Sequence, residues 1–323
     1  MQAPKFWDKK ESKLAKILSP IGGVYAWTVA HRLRHHRPYQ AKVPVICVGN
    51  ISVGGTGKTP VCLALAQLLK EHKKEPWFLN HGYHATQQSI LVDTKTHSAL
   101  DVGDEALLLA ESAPTIVDNA RARGAQLAEK GGAPLLIMDD GFQNPTLVKT
   151  FSFIVVDGKK GFGNEHVLPA GPLREPVLKG LQRADAIVLV GKDKWGVQQY
   201  LKTNQKDIPV LKGHFIPDEN DLAKLRGKNV GAFAGLGNPQ KFFDMLTNQG
   251  IQLIKTQNFP DHYLYTRFDI EDLRKKMGKC LLATTTKDWV KIPQEMREGI
   301  IPIRGHFQFD DPDKVWHLLK ESL

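Results

Sequence analysis

Gly49-Asn50-Ile51-Ser52-Val53-Gly54-Gly55-Thr56-Gly57-Lys58-Thr59-Pro60 sets three closely spaced glycines, a lysine and a hydroxyl directly after the β-branched run Val43 to Val48. Glycines at 54, 55 and 57 let backbone N–H groups turn inward around anionic oxygens that side chains would otherwise block. A helix beginning near Lys58 adds its positive N-terminal end. Lys58 can reach the β- and γ-phosphates of a nucleoside triphosphate, and the Thr59 hydroxyl is placed to ligate magnesium. Gly54, Gly55, Thr56, Gly57, Lys58 and Thr59 are therefore candidates for holding ATP with Mg2+. The strict pattern G-x-x-x-x-G-K-[ST] is not met, because Ser52 stands where its first glycine belongs. Val53 replaces the phosphate-contacting lysine that precedes the paired glycines in ATPases of the partition and nitrogenase-iron-protein type, which argues against that class.

Leu135 to Met138 reads as a buried strand, and it ends in Asp139-Asp140. An acidic turn after a strand is common, but beside a glycine loop it is expected to hold magnesium, directly or through water. The pattern leaves open which of the two carboxylates does so. Arg121 opens a helix after a strand and is either a phosphoryl clamp or a solvated helix charge. Arg174 and Glu175 lie in a proline-rich loop; arginine suits a phosphate or the acceptor, and Glu175 suits the magnesium. Asp157 reads as an ordinary strand-end turn.

In order along nearly the whole chain, these residues resemble the tetraacyldisaccharide 4'-kinases. The matching stretches are Gly49 to Pro60, Gly82-Tyr83, Val102-Gly103-Asp104-Glu105, Asp139-Asp140-Gly141-Phe142-Gln143 and Gly161-Phe162-Gly163-Asn164. They continue with Leu168 to Pro176, Phe233-Ala234-Gly235, Phe259-Pro260-Asp261-His262 and Lys287-Asp288. The chain departs from the family pattern at Asn80-His81, where Ser-Arg is usual, at Asn144 for histidine and at Thr286 for glutamate. The resemblance implies transfer of the ATP γ-phosphate to the 4'-hydroxyl of a tetraacylated glucosamine disaccharide 1-phosphate. It implies a base built from Asp104 and His262 beside the catalytic Lys58, with Tyr83, Glu105, Gln143 and Arg174 as candidate substrate contacts. Domain closure would then gate the chemistry, since Asp104 and His262 fall in different parts of the chain. On the residues alone, Asp104-Glu105 could be a helix start and Asp261-His262 a turn.

These groups need a scaffold. A chain of 323 residues, 41% hydrophobic and 24% charged, has the composition of a folded protein of about two domains. Cys47, Cys62 and Cys280 form no cluster and sit in apolar runs, which argues against a disulfide framework and structural zinc and favours a reducing compartment. Strands expected at 77–79, 115–117, 135–138, 153–156 and 186–190 alternate with helices at 60–70, 105–111 and 121–130. The fold class expected is α/β: a P-loop NTPase-type wound parallel sheet, a second, smaller α/β domain and an N-terminal amphipathic helix. The smaller unit has strands expected at 230–234, 252–256 and 281–284, with helices at 239–248 and 269–276. The boundaries are 1–42 for a basic amphipathic segment, 43–211 for the kinase domain, 212–308 for the smaller domain and 309–323 for a returning helix. The similar runs 212–216 and 304–308 would be neighbouring hinge strands.

Most of the net charge of +10 belongs to residues 1–42, where Lys5, Lys9, Lys10, Lys13, Lys16, Arg32, Arg34, Arg37 and Lys42 face only Asp8 and Glu11. Leu14, Ile17, Leu18, Ile21, Val24, Tyr25 and Thr28 recur there at helical spacing, with Trp27 beside them. Lys16, Pro20 and Gly22-Gly23 interrupt the run, so lying in an anionic membrane interface is favoured over crossing it; an amphipathic helix packed on the protein's own core is the alternative. The expected partners are a lipid-linked disaccharide and an anionic membrane surface, with no nucleic acid, at the cytoplasmic face of the bacterial inner membrane. Two other classes remain: a membrane-associated P-loop ATPase switch, and a kinase of a soluble metabolite.

Overall fold

Val45 to Val48 alternate between two faces of a strand, and both faces are apolar, which calls for a sheet covered on both sides. In the computed structural model, which describes residues 4–323, that strand is β1 (Val45–Gly49), near the middle of a nine-stranded sheet. Val45 and Cys47 enter one core with Leu136, Met138 and Ile154, while Ile46 and Val48 enter the other with Ile137, Phe153 and Leu65.

The other strands of this sheet follow in chain order: β2 (Pro76–Asn80), β3 (Ile90–Leu91), β4 (Thr115–Val117), β5 (Leu135–Asp139), β6 (Phe151–Asp157), β7 (Ala186–Val190) and β8 (Val210–Pro217). A four-stranded sheet then forms from β9 (Val230–Ala234), β10 (Leu253–Asn258), β11 (Leu281–Thr285) and β12 (Ile300–Ile303), and β13 (Gly305–Phe309) rejoins the large sheet. The spatial orders are β13-β8-β7-β6-β1-β5-β2-β4-β3 and β10-β9-β11-β12. All pairs are parallel except β3 with β4 and β13 with β8.

Chain order reverses at β1, which lies between β5 and β6. Loops that leave the carboxyl ends of neighbouring strands in opposite directions open a crevice there, the usual seat for ligands in such sheets. The smaller sheet leaves and re-enters the large one through β8 and β13, paired Gly213 to Phe309 and Pro217 to Gly305. Beyond β13 the helix Pro312–Leu319 lays Val315 and Leu319 into the core under the helix Lys58–Glu71, and Trp316 stacks on His72 at 3.8 Å.

The N-terminal helix runs unbroken from Lys13–Arg34 through Pro20, with Ser12 as N-cap accepting from Ala15 N–H. It buries Ala15 and Gly22, and an added Cβ on Gly22 would stand 2.9 Å from the Val167 carbonyl. Its apolar stripe is left outside: Ile17 is 73% and Trp27 65% exposed. No helix among the described residues is long and apolar enough to cross a membrane.

Candidate active site

The glycine loop leaves β1 and enters the helix Lys58–Glu71 through Gly57, whose φ of 98° is a left-handed value that disfavours a side chain. Gly54 has a φ of 104°, and the space beside Gly54 and Gly55 is open. Asn50 braces the loop, donating to the Thr56 hydroxyl at 3.2 Å. The loop also leans on the proline-rich segment: Val53 N–H donates to the Pro172 carbonyl at 2.8 Å and Arg174 N–H to the Ile51 carbonyl at 2.7 Å.

Asp139 and Asp140 end β5 beside that loop, and their surroundings differ sharply. Thr59 Oγ1 donates to Asp139 Oδ2 at 3.2 Å, and Asn80 Nδ2 donates to the same oxygen at 3.3 Å. Asp139 Oδ1 is buried with no hydrogen-bond partner. Burial, with the charges of Glu105 and Asp140, pushes the Asp139 carboxyl up to about 7 against Lys58 and Arg121. An orphaned carboxylate oxygen beside a threonine hydroxyl fits a divalent cation completed by phosphate oxygens and water. Asp140 sits at a φ of 49° and faces cations: Arg174 donates at 2.9 and 3.3 Å, and Lys58 Nζ lies at 3.4 Å. Burial would raise Asp140, but Lys58 and Arg174 outweigh it and hold the carboxyl at about 2.

Glu175, expected near the metal, has both oxygens engaged: Arg183 donates at 2.8 and 2.9 Å and Gln143 Nε2 at 2.9 Å. Gln143 Nε2 also reaches the Asn50 carbonyl at 2.7 Å, so it ties Glu175 to the glycine loop. Arg121 differs from both of its sequence readings. It is buried, and its guanidinium donates to the backbone carbonyls of Asp139 at 2.8 Å, Asp140 at 3.3 Å and Leu79 at 3.5 Å, bracing β5 from beneath. Arg183, on the turn after the helix Val177–Leu181, carried no signal in sequence, since exposed arginines look alike.

The second half of the site crosses between the sheets. Gly103, at a φ of 89°, joins two short helices and starts the helix Asp104–Ala110, which places Asp104 at its first turn. His262, on the loop after β10, adopts a φ of 58°, a strained value for a residue with a side chain. Its Nδ1 lies 3.2 Å from both Asp104 oxygens. Burial alone would raise Asp104, but the hydrogen bond from His262 and the charges of Lys287, His262 and Lys291 hold it at about 2. Tyr83 lays its exposed ring 4.8 Å from the His262 ring. Glu105 accepts from Lys287 Nζ at 3.0 Å.

Two further contacts bring the smaller unit against the phosphate loop. A Cβ added to Gly237 would stand 3.1 Å from Asp261 Oδ2 and 3.7 Å from Gly55 N, so the turn after β9 bridges Asp261-His262 and the loop amides. Lys241 pairs with Asp157 at the end of β6, giving an ion pair to a residue read from sequence as a plain turn. Lys291 was also missed; its signal was its place one helical turn beyond Lys287.

The family model for tetraacyldisaccharide-1-P 4'-kinase matches residues 14–323. The chain is 44% identical over 315 residues to a tetraacyldisaccharide 4'-kinase of Paramagnetospirillum magneticum, covering 97% of this chain and 96% of that protein. It is 42% identical to one of Gluconobacter oxydans, covering 98% and 96%. The crystal structure of LpxK from Aquifex aeolicus in complex with ATP superposes with a TM-score of 0.77 at 29% identity, covering 96% of this chain and 99% of that one. With the phosphate loop, the paired aspartates and the Asp104–His262 contact in one cleft, and relatives of this kind along its full length, the chain belongs to the tetraacyldisaccharide 4'-kinase family.

Proposed function

We propose that this protein transfers the γ-phosphoryl group of ATP to the 4'-hydroxyl of a tetraacylated glucosamine disaccharide 1-phosphate, a lipid A precursor. The observation that carries this reading is a carboxylate–imidazole pair, Asp104 with His262, beside a turn that reaches Gly55 of the phosphate loop. A sugar hydroxyl is a weak nucleophile, and a switch ATPase has no need of such a pair.

In the transfer, Asp104 takes the hydroxyl proton as the sugar oxygen bonds to the γ-phosphorus; the bond to the β–γ bridging oxygen breaks and ADP leaves. His262 keeps the carboxylate oriented. Loop amides from Gly54 to Thr59, with Lys58, hold the triphosphate, and Lys58 and Arg174 offset the charge that the transferred group brings. Magnesium, bound through Thr59 and Asp139, would neutralise phosphate charge and orient it. Tyr83 and Glu105 line the acceptor side, whereas Gln143, expected there from sequence, braces Glu175 against the glycine loop. Residues 43–211 act as the kinase domain and 212–308 as a closing domain, with β8 and β13 as hinge strands and 309–323 tied back to the first domain.

The acceptor's acyl chains stay in the bilayer. Lys13–Arg34 rests in the interface at the cytoplasmic face of the bacterial inner membrane, which its exposed Ile17, Ile21, Val24 and Trp27 and its flanking cations support. The test is γ-labelled ATP with the disaccharide lipid in detergent. Label moves into lipid if the proposal is right; folded protein that releases phosphate but labels no lipid would support the ATPase reading.

A further inference from the structure

Two lysines from the smaller unit converge on the Asp104–His262 pair. Lys287, in the helix Thr286–Trp289, places Nζ 3.0 Å from Glu105 Oε1, 3.8 Å from Asp261 Oδ1 and 3.9 Å from Asp104 Oδ2. Its fourth neighbour is not an acid: His262 Nε2 lies 3.5 Å away. Burial would lower the Lys287 ammonium, but Glu105, Asp104 and Asp261 raise it well above the ordinary lysine value. Lys291 lies one turn on, its side chain 1% exposed, with Nζ 3.1 Å from Asp288 Oδ1 and 3.7 Å from Asp104 Oδ2.

The base beneath both lysines is rigid. Asp288 is fully buried and accepts from Gly235 N–H at 3.0 Å, Tyr265 Oη at 3.0 Å and Thr285 Oγ1 at 2.8 Å. That cage fixes the short helix to the end of β9 and to the loop that carries His262.

Asp261 Oδ1 lies 3.9 Å from His262 Nε2, beyond hydrogen-bond distance, so among the contacts within that distance the imidazole has one consistent solution. An ammonium can only donate, so Nε2 must present its lone pair to Lys287. An ionised carboxylate can only accept, so Nδ1 must carry the proton toward Asp104. We propose that Lys287 is a positioning residue of the transfer reaction: it selects the Nδ1–H form of His262, occupies the Nε2 lone pair, and so leaves Asp104 as the proton acceptor for the sugar hydroxyl. This rests on the kinase reading above. Lys291, on the turn after that helix, faces the same Asp104 oxygen as Lys287, and both lysines arrive only with the smaller unit, so base assembly and cleft contact are one event.

The test is nitrogen-15 NMR of the His262 ring in the intact protein without substrate, together with turnover of Lys287→Met and Lys287→Arg. The wild type gives the Nδ1–H pattern. Lys287→Met shows mixed tautomers, and kcat falls about 100-fold while KM for ATP changes less than about threefold. Lys287→Arg keeps charge and donor, restoring the Nδ1–H pattern and most of the turnover. An Nε2–H ring in the wild type, or a Lys287→Met enzyme with unchanged kcat, overturns the proposal. The NMR result needs no acceptor, so a wild type that fails to phosphorylate lipid would count against the kinase reading alone. Should Lys287→Met not fold, the wild-type ring and Lys287→Arg still decide.

Discussion

His262 Nδ1 stands 3.2 Å from each carboxylate oxygen of Asp104, although 158 residues separate the two and they are carried by elements packed around different sheets. A contact made between the two units forms only where they meet, which is what a closing cleft in the proposed transfer would use.

That geometry separates chemistry from nucleotide binding. Asp104→Asn keeps the shape of the side chain and the Glu105 N–H contact at 2.9 Å but cannot take a proton. Its kcat should fall by about 10²–10⁴, the range for loss of a general base, with ATP affinity within about threefold of wild type. Single-turnover phosphoryl transfer and equilibrium ATP binding measure the two quantities. An equal loss in both would make Asp104 a nucleotide ligand.

Asp139 should respond to metal in the opposite sense to an ordinary surface acid. One of its oxygens is buried without a partner and burial disfavours the charged carboxylate, so with no cation bound the ionised form is held at a cost. Asp139→Asn should therefore leave the metal-free melting temperature equal to or above that of the wild type. It should also abolish the rise in melting temperature that Mg-ATP gives the wild type. Thermal scans with and without Mg-ATP decide, and a destabilised metal-free variant would mean the Asp139 charge is already balanced within the fold.

Asp221 gives the pH dependence of stability. It is buried at the start of the helix Glu219–Leu225 and accepts from Arg304 through Nε and Nη2, both at 2.8 Å, and through the backbone N–H at 3.1 Å. The Arg304 hydrogen bonds outweigh burial and hold its carboxyl well below the usual carboxylate range. A depressed carboxylate contributes stability that is complete above its unfolded value of about 3.9 and is lost as pH falls through the folded value. Asp221→Asn should cost about 1–3 kcal/mol at pH 7, and the gap to wild type should be narrower at about pH 3, closing only as pH falls through the depressed folded value. Denaturant melts at both pH values measure it; a gap that stays constant would remove charge from the interaction.

Much of the site could be read from local sequence, because its parts are local. The glycine loop, the acid pair after β5 and the helix Arg121–Lys130 each follow from residues within one turn or one strand. What escaped was long-range pairing. Arg121 has an exposed-looking helix-start position, yet it is buried against three carbonyls contributed by β2 and the end of β5. Asp157 finds Lys241 from 84 residues away. β12 was not expected because Pro302 cannot donate to a ladder, and it survives there as an edge strand of the smaller sheet.

The N-terminal helix presents two faces in different surroundings, one packed on the protein and one left outside. Ala15 and Gly22 bury one face, and Gly22 closes on the Val167 carbonyl of the segment that leads into the loop-bracing residues Pro172 and Arg174. Ile17, Val24 and Trp27 lie largely outside, with Trp27 stacked on His31 of the same helix, so replacing all three with serine removes little packing against the rest of the protein. The triple variant should keep its melting temperature and lose more than about tenfold in affinity for anionic vesicles, since each apolar side chain contributes over 1 kcal/mol when buried. Raising salt should weaken wild-type binding as well, because Lys13, Lys16, Arg32 and Arg34 act through a screened surface potential. Flotation measures both effects. Unchanged flotation with a lowered melting temperature would assign the stripe to the protein's own packing, and the acyl chains of the acceptor would then need another route to the cleft.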